Sequence, residues 1–169
     1  MEKNTTEVNT EIRSAKPGQY LTFVLNSQSY GVPIGTVREI NRLSEITPVP
    51  KTPVFVAGVM NLRGKVIPVV NLRLKLGFVQ TEHTKETCII VIETAVGQVG
   101  MIVDSVRGVI ELVSNQIEPT PNLGNSSETE FVMGMGKLEN SVIILIDIVK
   151  ALSATQLQEL ASVPEKHAA

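Results

Sequence analysis

The side chains that most often carry catalysis are scarce in this chain of 169 residues, which has one cysteine, Cys88, and two histidines, His83 and His167. A Cys–His nucleophile pair needs both groups within hydrogen-bonding reach. Cys88 heads the apolar run CIIVIE, whereas both histidines lie in polar segments. Their spacing matches no metal-binding motif, and Gly134-Met135-Gly136 is only a fragment of a glycine-rich phosphate motif. We therefore expect a protein that is not an enzyme, with no catalytic residue, metal or cofactor.

Arg63 is the residue whose chemistry points to recognition. Residues 55–72, FVAGVMNLRGKVIPVVNL, align without a gap on residues 131–148, FVMGMGKLENSVIILIDI, and the apolar positions coincide. Both segments are predicted hairpins, and Glu139 replaces Arg63 at the second tip. A guanidinium binds a carboxylate through two parallel hydrogen bonds, which a lysine cannot copy. The alternative for Arg63 is a solvated loop charge of little energetic weight.

The repeat also singles out Glu39. Its counterpart in the second copy is Gly108, so Glu39 and Arg63 are opposite charges that mark the first copy alone. Each hairpin tip carries a residue type that tolerates positive φ, Gly64 in one and Asn140 in the other. Both copies therefore contain the turn residues that the fold needs. The two extra charges indicate that the first copy has a function that the second lacks.

The elements that position these charges are short strands. Hydrophobic residues make up 43% of the chain and aromatics only 4%, so Val and Ile fill the core, which favours an all-β fold. The doubled pattern of hairpin, strand, proline connector and hairpin predicts two tandem barrels of about five strands each, packed face to face. We expect a disordered arm over 1–17, barrels over 18–80 and 81–152, and a C-terminal helix and tail over 153–169.

Charge and cysteine usage narrow the classes of protein further. Lys plus Arg number 15 and Asp plus Glu 17, and the aromatics are scattered, which argues against a nucleic-acid-binding barrel. A single cysteine fits a reducing compartment. The N-terminus lacks the apolar segment of a secretory signal, and no apolar run is long enough to span a membrane. We expect a cytoplasmic protein without membrane insertion.

Three segments carry a resemblance to a known family: YGVPIGTVREI, VPKTPVFVAGVMNLRGKVIPVVNLR and FVMGMGKLENSVIILIDIVKAL. They resemble CheW, the scaffold family of bacterial chemotaxis, over residues 18 to 152. The resemblance implies two SH3-like five-stranded barrels with an apolar groove between them. It also implies an adaptor that couples chemoreceptors to the histidine kinase CheA, monomeric when isolated and recruited to membrane receptor arrays.

The resemblance further implies two sets of binding residues. The receptor's helical tip would dock in the groove and on its rim, by contact with Val37, Glu39, Gly58, Arg63 and Val109. The regulatory domain of the kinase would join barrel to barrel, by contact with Ile34, Glu118 and Leu123.

Two positions depart from the family pattern. Asn71 stands where an aspartate is usual, which keeps a helix cap but loses a charge. Pro33 stands where a polar or acidic residue is common beside the receptor-facing strand. A CheW-like scaffold of another pathway, such as pilus control, is the nearest alternative function, and a nucleic-acid-binding β-barrel is a more distant one.

Overall fold

Two β-sheets make up most of the protein in a computed structural model that describes residues 15–120, 131–152, 156 and 159–164. The five-stranded sheet, here called barrel 1, contains β3 (Val37–Arg42), β4 (Val56–Leu62), β5 (Lys65–Asn71), β6 (Cys88–Thr94) and β7 (Gly97–Val103). Its strand order is β3-β6-β7-β5-β4.

The six-stranded sheet, barrel 2, has the order β8-β1-β2-β11-β10-β9. Its strands are β1 (Gly18–Leu25), β2 (Gln28–Pro33), β8 (Ser105–Leu112), β9 (Ile117–Glu118), β10 (Val132–Lys137) and β11 (Val142–Ile146). The predicted all-β class with two SH3-like barrels is confirmed, and the two-residue β9 is the strand beyond the expected five.

Each barrel closes in the same way, because the chain after one edge strand returns to the opposite edge. In barrel 1, the Thr47 N–H donates to the Val59 carbonyl at 2.8 Å, and the Val59 N–H donates back at 2.9 Å. In barrel 2, β9 closes the sheet by pairing with β10, with Glu118 opposite Met135. The repeat seen in the sequence therefore extends to the way each sheet is closed.

The opening hairpins of the two repeats are exchanged between the barrels. β1 pairs with β8 and β2 pairs in parallel with β11, both in barrel 2. β6 pairs with β3, and β7 pairs in parallel with β5, both in barrel 1. The predicted barrels over 18–80 and 81–152 are therefore wrong as structural units. The repeat reveals which hairpins are alike but not which sheet each hairpin joins. The exchange leaves the pairing within each hairpin unchanged.

Three apolar clusters account for the core. One lies inside barrel 1 around Ile89 and Val91, and one lies inside barrel 2 around Leu112 and Leu145. The largest lies between the barrels and combines residues of both, including Phe23 and Met101, which are both 0% exposed. Small barrels bury little surface alone, so the shared cluster is what makes the two a single folding unit.

Two short helices follow equivalent strands of the repeat, α1 (Leu72–Lys75) and α2 (Ile148–Ala151). The Asn71 side chain caps α1 by accepting from the Leu74 N–H at 3.3 Å, and Asp147 caps α2 through two N–H groups. Asn71 therefore keeps the predicted capping role. Its amide also donates to Gln80 at 2.6 Å, which a carboxylate could not do.

The two ends of the described chain differ from expectation in detail. Ala15 is 8% exposed and its N–H donates to the Met133 carbonyl at 3.0 Å, so the predicted arm over 1–17 is wrong at its last residues. Residues 156 and 159–164 are helical, and Leu160 and Val163 pack into the shared core. Ala161 is exposed. Residues 1–14, 153–155, 157–158 and 165–169 lie outside the described residues.

Candidate partner-binding surface

Arg63 and Glu39 meet across the mouth of barrel 1. The Arg63 Nη1 lies 2.6 Å from Glu39 Oε2 and its Nη2 lies 3.0 Å from Oε1, which is the two-bond fork expected of arginine and a carboxylate. Glu39 sits on β3 and Arg63 at the β4–β5 tip, two places that the curl of the sheet brings together. Both residues were predicted as site residues, and the structure shows that they form one unit.

The environment of the pair keeps both groups charged. The hydrogen bond from Arg63 lowers the pKa of the Glu39 carboxyl, and a second bond from Asn41 Nδ2 at 2.8 Å lowers it further. The same carboxylate raises the pKa of Arg63. The Arg63 side chain is 73% exposed, whereas that of Glu39 is 20% exposed. The carboxylate therefore anchors the guanidinium from below and leaves its outer face open to a partner.

The backbone at the tip is unusual for an arginine. Arg63 has φ of 52° and Gly64 has φ of 86°, so both tip residues are left-handed. That conformation costs a residue other than glycine roughly 1–2 kcal/mol. The Asn61 carboxamide oxygen helps to stabilise it by accepting a hydrogen bond from the Gly64 N–H at 2.7 Å. Strain of this kind concentrates at functional sites.

The sister hairpin turns differently. Leu138 donates to Ser141 across its tip at 2.9 Å, so the loop has the same length. Among the described residues other than glycine, positive φ occurs at Asn26, Ser27, Lys51 and Arg63. The expected left-handed Asn140 is therefore wrong. Of these two repeat-related hairpins, only β4–β5 has a left-handed tip, and the same hairpin carries the arginine.

A groove of about 580 Å³ lies between the two barrels. It runs between the end of β3 and the start of β8. Its edge at Arg42 lies three residues, about 10 Å, along β3 from Glu39, whose side chain lies on the other face of the strand. This groove is mostly polar. Cys88 and Val106 supply its apolar lining, and the rest is polar or charged: Arg42, Lys85, Glu86, Ser105 and Arg107.

The predicted valines occupy two kinds of position. Val37 is half-buried against the shared core. Val109 is 51% exposed on β8, on the same strand face as Arg107. Its repeat counterpart on β3 is Ile40, which is 43% exposed and was missed by the sequence analysis. The repeat alignment itself contained the signal, because it places Ile40 on Val109.

Gly58 has a structural role. It is buried, with φ of +146°, and a Cβ built on it would lie 2.1 Å from the Thr47 carbonyl oxygen. A Cβ built on Gly134, its repeat counterpart, would lie 2.9 Å from the Glu118 carbonyl oxygen, which is also too close. Both glycines therefore permit the return of the chain that closes each barrel, and no exposed surface at Gly58 supports its predicted contact with a receptor.

The structure places two of the three predicted kinase-binding residues. Ile34 is in a 3-10 turn, half-buried against the shared core. Glu118 is exposed on β9 and pairs with Lys137 at 2.8 Å. Leu123 lies outside the described residues.

A second charged cluster was missed because its members are far apart in the chain. The Arg73 Nη1 lies 2.5 Å from Asp104 Oδ2, and the Arg73 Nε donates to the Val79 carbonyl at 2.9 Å. Asp104 also accepts from the Asn26 N–H at 2.9 Å. The cluster joins the helix after β5 to the β1–β2 turn, and so fastens barrel 1 to barrel 2. The repeat gave a signal here too, because Arg73 aligns with Val149.

Comparison with known proteins places this geometry in a family. The family model described as CheW-like domain matches residues 19–156. The chain belongs to that family. It is 34% identical to the chemotaxis protein CheW of Klebsiella aerogenes over 88% of this chain and 90% of that protein. It is 35% identical to the chemotaxis protein CheW of Thermotoga maritima over 85% of this chain and 93% of that protein.

A solved structure agrees with the fold. The scaffolding protein TtCheW from Thermoanaerobacter tengcongensis superimposes with a TM-score of 0.74 at 34% identity, over 84% of this chain and 92% of that one. Among the described residues, no helix is long and apolar enough to cross a membrane.

Proposed function

We propose that this chain is a non-enzymatic adaptor that couples the cytoplasmic tips of chemoreceptors to the histidine kinase CheA. Its relatives carry the name of the chemotaxis protein CheW, and its solved neighbour is a scaffolding protein. The observation that carries the proposal is the Arg63–Glu39 fork, which one repeat has and the other lacks. The Arg63 side chain is 73% exposed, and the sister hairpin forms without an arginine at its tip.

The receptor tip would lie across the faces of β3 and β8 that border the groove. A helical hairpin docks on such a surface by burying apolar side chains, here Ile40 and Val109, at ~25 cal/mol per Å² of apolar area. Arg63 would set the register of the helix and select the partner more than add affinity. The structural assignment of Gly58 removes it from this set, and half-buried Val37 would support β3 from beneath.

The kinase regulatory domain would join through a separate surface, barrel against barrel, with Ile34, Glu118 and Leu123. Two distinct surfaces allow one protein to touch receptor and kinase together, which is what a coupling protein must do. The adaptor would be a cytoplasmic monomer when isolated and would be recruited to receptor arrays at the membrane.

The test is receptor-dependent kinase activation with purified receptor membranes, CheA and variants of this chain. Arg63→Glu is expected to abolish activation while the thermal melt stays within a few degrees of wild type. Glu139→Arg, the matching reversal at the sister tip, is the control and is expected to activate normally. If Arg63→Glu activates the kinase as wild type does, the assignment of Arg63 is wrong.

A charge swap separates recognition from structural support. The double variant Arg63→Glu/Glu39→Arg preserves an ion pair between the same positions. If the pair served only to brace barrel 1, the swap would restore activation. We expect no restoration, because the exposed partner-facing group would then be a carboxylate.

A further inference from the structure

The groove between the barrels carries a net positive charge, although the net charge of the whole chain is −2. Arg42, Lys85 and Arg107 line it against a single acidic residue, Glu86, whereas the whole chain has 15 basic and 17 acidic residues. Arg42, Lys85 and Arg107 are all exposed. Within the described part of the chain, none of these three cations forms an ion pair. They are therefore available to a ligand.

The strand geometry directs two of these cations to the docking surface. Exposure alternates along β3, so that Arg42 shares the outer face with Ile40. The same alternation on β8 places Arg107 beside Val109. Side chains two residues apart on a strand lie on one face, roughly 7 Å from each other. The outer face of β3 thus presents Ile40 between Arg38 and Arg42, and that of β8 presents Val109 between Arg107 and Glu111. Of these residues, Arg42 and Arg107 line the groove.

We propose that this groove selects helical partners that carry carboxylates, with Arg42 and Arg107 as the specificity-determining residues and Lys85 as a third contact. The inference rests on the proposed function and names the chemistry of the partner: a receptor tip with Asp or Glu on the helix face that meets the groove. An aliphatic contact positions the helix, and the arginine forks then bind its carboxylates at both banks.

A protein partner fits the groove better than a nucleic acid does. Single-stranded nucleic acid is held by aromatic side chains on which bases stack, and the groove lining contains no aromatic residue among those described. Its cations are also interrupted by Glu86, so they form no continuous track for a phosphate backbone.

A cysteine in the groove can report whether a partner is bound there. Cys88 is the only cysteine of the chain and lines the groove, where its thiol donates to the Glu86 carbonyl at 3.1 Å. A bound helix would shield it. The rate at which a thiol reagent modifies Cys88 therefore measures occupancy of the groove independently of kinase activity.

The experiment uses the full chain and soluble, dimerised fragments of chemoreceptor cytoplasmic tips encoded in the same genome, with and without acidic residues at the tip. Affinity is measured by calorimetry at about 50 mM and about 300 mM salt. The groove variant is Arg42→Glu/Arg107→Glu. The control, Lys16→Glu/Lys150→Glu, makes the same change in net charge at exposed lysines outside the groove.

The groove variant should bind the acidic fragments about tenfold more weakly than wild type and lose most of the salt dependence. The control should bind as wild type does, and acidic fragments should slow modification of wild-type Cys88. Arg42→Gln/Arg107→Gln should give an intermediate loss, which also covers the case in which the double reversal does not fold.

Each contrary result has its own meaning. If the groove variant binds the acidic fragments as tightly as wild type, this inference is wrong while the proposed function stands. If wild-type protein binds no fragment, the proposed function fails and this inference with it. If the groove variant instead loses salt-dependent binding to a 20-residue single-stranded RNA, the partner is a nucleic acid and the inference is overturned.

Discussion

Replacing Gly58 with alanine tests the claim that this glycine serves barrel closure. The added Cβ would meet the Thr47 carbonyl oxygen at 2.1 Å and its carbon at 2.7 Å, both backbone atoms that cannot swing aside. Gly108→Ala is the matched control. Gly108 has φ of +139°, close to the +146° of Gly58, but nothing lies within 4 Å of its Cβ position.

The two variants share one cost and differ in another. In both variants, an alanine at such a φ adds backbone strain of order 1–3 kcal/mol. Only Gly58→Ala must also push Thr47 away, which breaks its two hydrogen bonds with Val59, worth about 1 kcal/mol each. Crowding adds about 1–3 kcal/mol. The free energy of unfolding of Gly58→Ala should therefore be about 3–5 kcal/mol below that of Gly108→Ala.

Urea unfolding followed by circular dichroism measures this difference directly. A receptor-binding assay on whatever folded protein remains then shows whether Gly58 has any role beyond stability. Equal loss of stability in the two variants would refute the closure argument. A stable Gly58→Ala protein with lost receptor binding would return Gly58 to the partner-binding surface.

The remaining predictions concern three ion pairs: Arg73–Asp104, Arg38–Glu93 and Arg63–Glu39. Arg73→Met should lower the free energy of unfolding by about 2 kcal/mol, because its pair with Asp104 is largely buried. Arg38→Met, which removes the exposed pair with Glu93, should cost less than about 0.5 kcal/mol in the same urea experiment, and equal losses would contradict the role of Arg73. The lowered pKa of Glu39 means that its pair stabilises the folded protein above the ordinary carboxyl range and is lost only as pH falls through the lower folded value. A carbon NMR titration of Glu39 should give a higher pKa in Arg63→Met, and an unchanged pKa would show that Arg63 is not its main cause.

The local features of the fold were predictable from sequence because local rules decide them. The left-handed Gly64 and Asn26 and the cap at Asn71 follow from residue types that favour those conformations, whereas the left-handed φ of Arg63 does not. The abundance of Val and Ile and the doubled pattern of short strands and turns predicted the all-β class. The internal repeat then isolated Arg63 and Glu39, although only the structure shows their contact.

The long-range features were not predictable, because no local rule decides between near-equivalent edges. The two opening hairpins have similar patterns and could pair within their own half or across. The Arg73–Asp104 pair depends on that exchange, and so does the groove. The role of Gly58 depends on how close Thr47 comes to it, a distance that a glycine in a sequence does not reveal.

The exchanged hairpins govern the order in which the protein can be completed on the ribosome. Thr22 of β1 bonds to the carbonyl of Gly108, 86 positions later in the chain. The β1–β2 hairpin must therefore wait until β8 and β11 have been synthesised, and the strands of barrel 1 are complete before those of barrel 2. Contacts this distant in sequence slow folding. Because each barrel takes strands from both halves of the chain, neither half contains all the strands of a barrel, and neither is expected to fold alone.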